Sequence, residues 1–266
     1  MTTINALINL KGRRALITGA AGGLGKIVTQ TLAELGADLV LLDRADTPLA
    51  ALAHEVKKTW GCAAAVRHCD LESQNERETL ITELKQEGRL DILINNAAFV
   101  GTSGLQGWAV PFIEQSVDTW RRALEVNLTA AFHLCQGLTP LLQASGRGSI
   151  INIGSIYGEY GPDWGLYAGT SMSNPAAYGA SKGGLLQLTR WLATTLAPRL
   201  RVNAISPGGI ARGQPQAFVE RYEARTPMGR MATEDDFRGV VAFLASDMAA
   251  YVTGQNLSID GGWGVW

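Results

Sequence analysis

Thr18-Gly19-Ala20-Ala21-Gly22-Gly23-Leu24-Gly25 is the stretch whose reading decides the fold. It follows a short apolar run, Ala15–Thr18, and leads into Leu24–Leu35, a segment of helical period. Glycines there permit a tight turn and let a diphosphate approach the backbone, while the helix start offers unpaired N–H groups and a favourable dipole. The spacing Gly19-x-x-x-Gly23-x-Gly25 departs from the common G-x-G-x-x-G fingerprint, and a plain strand–helix turn could also be glycine-rich. The rest of the chain has to decide.

The next apolar run, Leu39-Val40-Leu41-Leu42, ends on Asp43. A carboxylate at a second strand end, about 20 residues after the glycine turn, is placed to accept hydrogen bonds from the adenosine ribose hydroxyls and to repel a 2′-phosphate. NAD is therefore the expected cofactor rather than NADP. Arg44 complicates this, since arginine binds phosphate; stacking beside adenine or plain solvent exposure are its other roles.

Further out, short apolar runs recur at Ala63–Cys69, Ile92–Asn95, Ser149–Ile153, Arg201–Ile205 and Asn256–Ile259. Near-continuous apolar runs suit strands buried on both faces of a parallel sheet. Helical segments are expected at Thr47–Trp60, Ser73–Glu87, Gln115–Ala144, Pro175–Ala197 and Thr233–Ser246. Pro175 suits a first helical turn, Gly36 a left-handed cap, Thr233 with Asp236 a capping box, and Pro198 a helix stop. The alternation predicts an α/β, doubly wound Rossmann-type fold with a seven-stranded parallel sheet flanked by helices on both faces. No linker or repeat divides the chain, so residues 1–266 are read as one domain, with a substrate-loop region at about 208–232.

Composition narrows the function. At 46% hydrophobic and 18% charged residues, the 266-residue chain can build a substantial core without staples. A formal net charge of -1 gives no electrostatic case for nucleic acid or an anionic membrane. Cys62, Cys69 and Cys135 are odd in number and form no CxxC pair, so buried small hydrophobes are expected rather than a disulfide framework or a metal site. The first ten residues do not read as a signal peptide and no apolar run spans a bilayer, which makes cytoplasmic the expected location.

Chemistry concentrates in two places. Tyr178-Gly179-Ala180-Ser181-Lys182 puts a phenol and an ammonium four residues apart on one helix face. A nearby Lys182 cation, together with an oxidised nicotinamide, would favour phenolate and bring a group of ordinary pKa about 10 toward useful acid–base chemistry. Ser155 stands at the exit of the run Ser149–Ile153, where ligands bind in open α/β sheets, and its hydroxyl can hold a carbonyl or a developing alkoxide. Alone, each has a structural reading: a surface tyrosine–lysine pair, or a capping serine.

Together, and in this order, Thr18–Gly25, Asp43, Asp70, Asn95-Asn96-Ala97-Ala98, Asn127, Ser155, Tyr178-x-x-x-Lys182 and Pro207-Gly208 resemble the classical short-chain dehydrogenase/reductase family over nearly the whole chain. The resemblance implies a catalytic set of Asn127, Ser155, Tyr178 and Lys182. Ser155 would orient the substrate oxygen, Tyr178 would move the proton, and Lys182 would bind the nicotinamide ribose and tune Tyr178. Asn127 would organise a proton-relay water at a helix kink. It also implies a cofactor set comprising Gly19, Gly22, Gly23, Leu24, Gly25, Asp43, Arg44, Asp70, Leu71, Asn96, Ala97, Ala98, Tyr178, Lys182, Pro207, Gly208 and Ile210. A homotetramer is implied as well, packed through the segments Gln115–Ala144 and Pro175–Ala197.

The chain departs from the family at three points. Ala98 replaces the glycine of Asn-Asn-Ala-Gly, and Arg212 stands where threonine is common. The segment between Ser155 and Tyr178 is unusually long, polar and aromatic. Tyr157, Tyr167, Arg212 and Ser155 are the substrate candidates, with Gln214 and Gln216 as possible helpers. The Gly-Thr-Ser-Met stretch resembles a subgroup linked to surface-polysaccharide and flagellin-sugar biosynthesis. The expected substrate is a sugar, sugar acid or sugar derivative, although the insertion could instead cover the cofactor or build a subunit contact. Trp108, Trp164, Trp263 and Trp266 suit packing better than a pocket. Two other functions fit less well: reduction of a 3-oxoacyl thioester on a carrier protein, and a catalytically silent dinucleotide-binding protein.

Overall fold

The computed structural model describes residues 2–100 and 103–266. Seven strands, β1 (Arg14–Thr18), β2 (Asp38–Asp43), β3 (Ala64–His68), β4 (Ile92–Asn95), β5 (Gly148–Ile153), β6 (Leu200–Pro207) and β7 (Asn256–Ile259), form one sheet in the order 3-2-1-4-5-6-7. Every pairing is parallel. In chain order the α-helices are α1 (Ile4–Ile8), α2 (Gly23–Glu34), α3 (Leu49–Trp60), α4 (Gln74–Glu87), α5 (Val117–Leu124), α6 (Ala130–Ala144), α7 (Trp164–Tyr167), α8 (Ala176–Leu196), α9 (Gln216–Arg225) and α10 (Arg238–Ala245).

Strand periodicity sends alternate side chains to opposite faces, and this divides the core in two. Ile17, Leu39, Leu41, Ile94 and Ile151 meet Val28 and Leu32 of α2, Val56 of α3 and Leu244 of α10 on one face. Leu16, Val40, Leu42, Leu93 and Ile150 meet Leu84 of α4, Leu134 and Leu138 of α6 and Leu192 of α8 on the other. This is the doubly wound architecture expected from the runs. β1 pairs with both β2 and β4, so the chain direction of winding reverses there and opens a crevice at the strands' carboxyl ends.

Some expected elements change. The single helix expected at Gln115–Ala144 is α5 and α6 joined by a π-helical turn, Glu125–Thr129. Pro175 precedes α8 with extended backbone (φ -67°, ψ 137°) instead of occupying its first turn. Thr233 and Asp236 do form a capping box, on the 3-10 turn Glu234–Phe237 that leads into α10. Gly36 takes φ +92°, as a left-handed cap requires. Helices α1, α7 and α9 had no periodicity strong enough to announce them; α9 buries only Phe218 and Tyr222. All three cysteines are free and buried, and burial pushes the Cys69 and Cys135 thiols up to about 12. Among the described residues, no group of His, Cys, Asp or Glu could hold a metal, and no helix is long and apolar enough to cross a membrane.

Candidate active site

The carboxyl ends of the strands carry a half-open cleft of about 1160 Å³. Its first wall is the glycine turn. An added Cβ on Gly25 would lie 2.0 Å from the Gly19 carbonyl oxygen, so α2 packs against β1 only because position 25 has no side chain. Gly19 takes φ +65°, and a Cβ there would meet the Ala97 backbone at 2.9 Å. Gly22 caps α2 without a side-chain hydrogen bond. Among the described residues the N–H groups of Gly23, Leu24 and Gly25 find no backbone partner, which leaves donors pointing into the cleft.

Thr18 and Asn96 lock this wall to the middle of the sheet. The Thr18 Oγ1 accepts from the Asn96 and Ala97 N–H groups, both at 3.0 Å, and donates to the Ile94 carbonyl. The Asn96 amide donates to the Thr18 and Gly19 carbonyls at 2.9 and 3.0 Å. Thr18 was quoted in the motif without a role of its own; its hub position is visible only in three dimensions. Asp43 ends β2 with one carboxylate oxygen accepting from Ala21 N–H at 2.9 Å and the other from Arg44 N–H at 2.9 Å. The Arg44 side chain is exposed and reaches Asp46 at 3.5 Å. Asp70, Leu71, Ala98, Pro207, Gly208 and Ile210 line the same cleft.

The residues present fit a dinucleotide. A glycine cradle that a single Cβ would fill, three unpaired helix N–H groups and a carboxylate at the β2 end lie along one cleft. Diphosphate would be held at the start of α2, and ribose hydroxyls would meet Asp43.

Ser155, Tyr178 and Lys182 converge on the other half of the cleft. Ser155 follows β5, is buried, and accepts from Tyr157 N–H at 3.2 Å, which leaves its O–H free to donate. Lys182, 2% exposed, donates from Nζ to the Ile153 carbonyl at 2.6 Å and stands 5.8 Å from the centre of the Tyr178 ring. Desolvation pushes the Lys182 ammonium down to about 8. Burial raises the Tyr178 phenol above its ordinary range, opposed by a hydrogen bond with Ser155 and by the charge of Arg212. Burial dominates, and the ammonium is committed to a backbone carbonyl.

Asn127 lies in the π-turn, behind the cleft wall. Its Oδ1 accepts from Phe99 N–H at 2.7 Å, and its Nδ2 donates to the Phe99 carbonyl and to Ser181 Oγ at 3.0 Å. Both amide hydrogens are spent, so the side chain acts as a clamp on the helix that carries Tyr178 and Lys182.

The long segment after Ser155 folds onto α9. Arg221 donates to the Ala168 carbonyl at 2.5 Å, and Arg225 pairs with Asp163. Behind it, Ile156, Leu166, Phe218, Tyr222, Met231 and Trp263 form their own buried cluster. Tyr222 also donates structure to the Pro207–Ile210 loop, its hydroxyl accepting from Gly209 N–H at 2.6 Å. The phenols of Tyr157 and Tyr167 meet at 2.6 Å, with the Asn174 amide 3.5 Å from Tyr167. All three line the cleft. Asn174, Phe218 and Tyr222 were not among the candidates. Asn174 lies in the long segment between Ser155 and Tyr178, whereas only the fold brings the two α9 aromatics to the site. Arg212 lies over Gly23, paired with Glu234 at 2.9 Å, and its charge reaches Tyr178. Trp108 and Trp263 are buried, and Trp164 and Trp266 are largely exposed.

A family model described as enoyl-(acyl carrier protein) reductase matches residues 19–264. A tropinone reductase homolog of Arabidopsis thaliana is 36% identical over 266 residues, covering 97% of this chain and 94% of the relative. A putative NAD(P)-dependent gluconate 5-dehydrogenase from Beutenbergia cavernae, solved with bound NADP, is 34% identical with a TM-score of 0.86, covering 97% of this chain and 99% of its own. An NAD+-bound xylitol dehydrogenase is 32% identical with a TM-score of 0.83, covering 95% and 99%. The glycine turn, the strand order and the Ser155, Tyr178, Lys182 arrangement agree with these likenesses, and the chain belongs to the classical short-chain dehydrogenase/reductase family of oxidoreductases.

Proposed function

We propose that the protein is an NAD(H)-dependent oxidoreductase that interconverts a secondary alcohol and a ketone on a sugar, sugar acid or sugar derivative. The observation that carries the reading is the shared cleft: Ser155, Tyr178 and Lys182 face the same space as the Tyr157–Tyr167–Asn174 hydroxyl and amide group. A polyhydroxylated substrate can bond to the donors and acceptors these groups retain beyond their mutual contacts, which a plain hydrocarbon ketone cannot use. The similarity to gluconate and xylitol dehydrogenases supports the same class.

Bound at the glycine turn, the nicotinamide dinucleotide supplies a hydride acceptor for oxidation and a hydride donor for reduction. The chain's own residues handle the oxygen and its proton. Ser155 Oγ–H donates to the substrate oxygen and fixes its distance from Tyr178. In oxidation, ionised Tyr178 removes the hydroxyl proton while the carbinol C–H bond yields its hydride, and the C=O bond forms; reduction reverses each movement. Lys182, 5.8 Å from the centre of the Tyr178 ring, would supply positive charge that favours the ionised phenol and would bind the nicotinamide ribose with the donors left after its bond to Ile153. Asn127 holds α8 in place through Ser181. Asp43 supports NAD over NADP, because a carboxylate at the end of β2 would repel a 2′-phosphate on the adenosine ribose. The relatives include both NAD- and NADP-bound proteins, so cofactor choice is the sharpest point to test. Assembly as a homotetramer and a cytoplasmic location belong to the same proposal.

The test is a parallel screen of sugars, polyols and sugar acids with NAD and NADP, with Tyr178→Phe as control. Oxidation of a polyhydroxylated substrate with NAD, lost by about 10²-fold or more in the Phe variant, is expected. Reduction of a carrier-protein thioester with NADPH alone would replace this reading. Tight NADH binding without turnover on any alcohol or ketone would make the protein a silent binder.

A further inference from the structure

Arg212 stands where the family commonly has threonine, and its side chain lies against the glycine turn. A Cβ on Gly23, the first residue of α2, would come within 2.8 Å of Glu234 Oε1 and 3.1 Å of an Arg212 guanidinium nitrogen. Arg212 Nε and Glu234 Oε1 are 2.9 Å apart. The ion pair thus lies against the first residue of α2, whose N–H, like those of Leu24 and Gly25, has no backbone partner among the described residues, and Arg212 lines the cleft there.

Both residues are set in place by backbone. Ala211 N–H donates to the Ala232 carbonyl at 2.8 Å and Ala232 N–H to the Gly209 carbonyl at 2.9 Å, which zips the loop after β6 to the segment before Glu234. Gln214 closes the loop from the other side: its Oε1 accepts from Arg212 N–H and its Nε2 donates to the Ile210 carbonyl, each at 2.7 Å. Glu234 starts the 3-10 turn fixed by the Thr233–Asp236 capping box. Only the two side chains are free to exchange partners.

We infer that Arg212 and Glu234 form a cofactor clamp, in which the diphosphate of the dinucleotide displaces the Glu234 carboxylate and takes over the Arg212 guanidinium. A guanidinium binds phosphate oxygens as a planar fork, whereas threonine offers one hydroxyl. Glu234 has two effects: it keeps Arg212 aimed at the cradle before binding, and it competes with the diphosphate. Affinity is then set by the difference between two arginine partners. The inference rests on the dinucleotide reading of this cleft, but it goes further by assigning Arg212 to cofactor rather than substrate.

Isothermal titration of NADH, ADP and adenosine against the unaltered chain, Arg212→Gln and Glu234→Gln tests it. Arg212→Gln should weaken NADH and ADP by about tenfold or more and leave adenosine, which carries no phosphate, unchanged. Glu234→Gln should tighten NADH and ADP severalfold by removing the competing charge. Thermal unfolding without ligand shows that both variants are folded. Unchanged NADH and ADP affinities in Arg212→Gln overturn the clamp, as does a Glu234→Gln variant that binds both more weakly. An equal loss for adenosine also overturns it, because the effect would then be a general distortion. If the unaltered chain binds none of the three, the dinucleotide reading itself fails and the clamp falls with it.

Discussion

Lys182→Met separates what the buried ammonium does for chemistry from what it costs the fold. The lysine is 2% exposed, and desolvation moves it from the ordinary 10.5 to about 8. At 1.36 kcal/mol per pKa unit, burying the charged form costs the native state about 3 kcal/mol. The folded value lies below the unfolded one, so between about pH 8 and about pH 10.5 the unfolded chain binds more protons and stability rises with pH. Below about pH 8 the full cost is present. Methionine fills a similar volume, and losing the 2.6 Å hydrogen bond to the Ile153 carbonyl costs about 1 kcal/mol. At about pH 7.5 the variant should therefore be more stable than the natural chain by about 2 kcal/mol, with turnover collapsed. Toward about pH 10.5 the natural chain should recover about 3 kcal/mol relative to the variant, and the order should reverse. Making both measurements in a Tyr178→Phe background removes the titration of that phenol from the comparison. Urea unfolding at a series of pH values reads the gap directly. A gap that stays constant or widens in the variant's favour as pH rises would refute the reasoning.

The glycine turn makes a paired prediction. Gly25→Ala puts a methyl 2.0 Å from the Gly19 carbonyl and should cost about 3 kcal/mol or more, whereas Gly22→Ala, with its nearest contact at 3.4 Å, should cost less than about 1 kcal/mol in a thermal melt. Asp43→Asn keeps an acceptor for Ala21 N–H but removes the charge, so the NAD-to-NADP ratio of kcat/KM should fall by about tenfold; an unchanged ratio would remove Asp43 from cofactor choice. Asp247→Asn removes the counter-charge of Arg13, which is 1% exposed, beside an Arg201 that burial has pushed down to about 10. Because Asp247 is itself 42% exposed, a loss of about 2 kcal/mol is expected by denaturant titration, and no loss would mean solvent reaches Arg13.

What could be read from the sequence followed the length of the physical pattern. Five buried inner strands announce themselves because a parallel sheet needs apolar residues on both faces, the half-buried edge strands β3 and β7 still read as apolar runs, and Asp43 and Ser155 stand at or just past strand ends. The π-turn was invisible. One extra residue in Glu125–Thr129 shifts the helical phase, but a 3.6-residue pattern over Gln115–Ala144 absorbs that as noise. Helix α9 was missed for the opposite reason, having two buried residues in ten. The site followed the same rule. Tyr178 and Lys182 share one helix turn and could be paired on paper. The Tyr157–Tyr167 contact, the Arg212–Glu234 pair and the Thr18 hub each join residues whose meeting depends on the folded loops, and no local spacing encodes them.

The strand order has a further consequence for how the chain is made. Because β4 pairs directly with β1, the cleft is assembled from both halves of the sequence: its floor begins at residue 19, and its rim is finished by a glutamate at residue 234. A ribosome delivers these pieces in order, and the early half, with its glycine turn and Asp43, emerges long before Tyr178 or the β6 loop. A ligand stabilises only the state that binds it. Dinucleotide in the cell can therefore act as a selective ballast for finished molecules and lend little to nascent or truncated ones, so cofactor supply would show itself in the yield of complete protein as well as in its turnover.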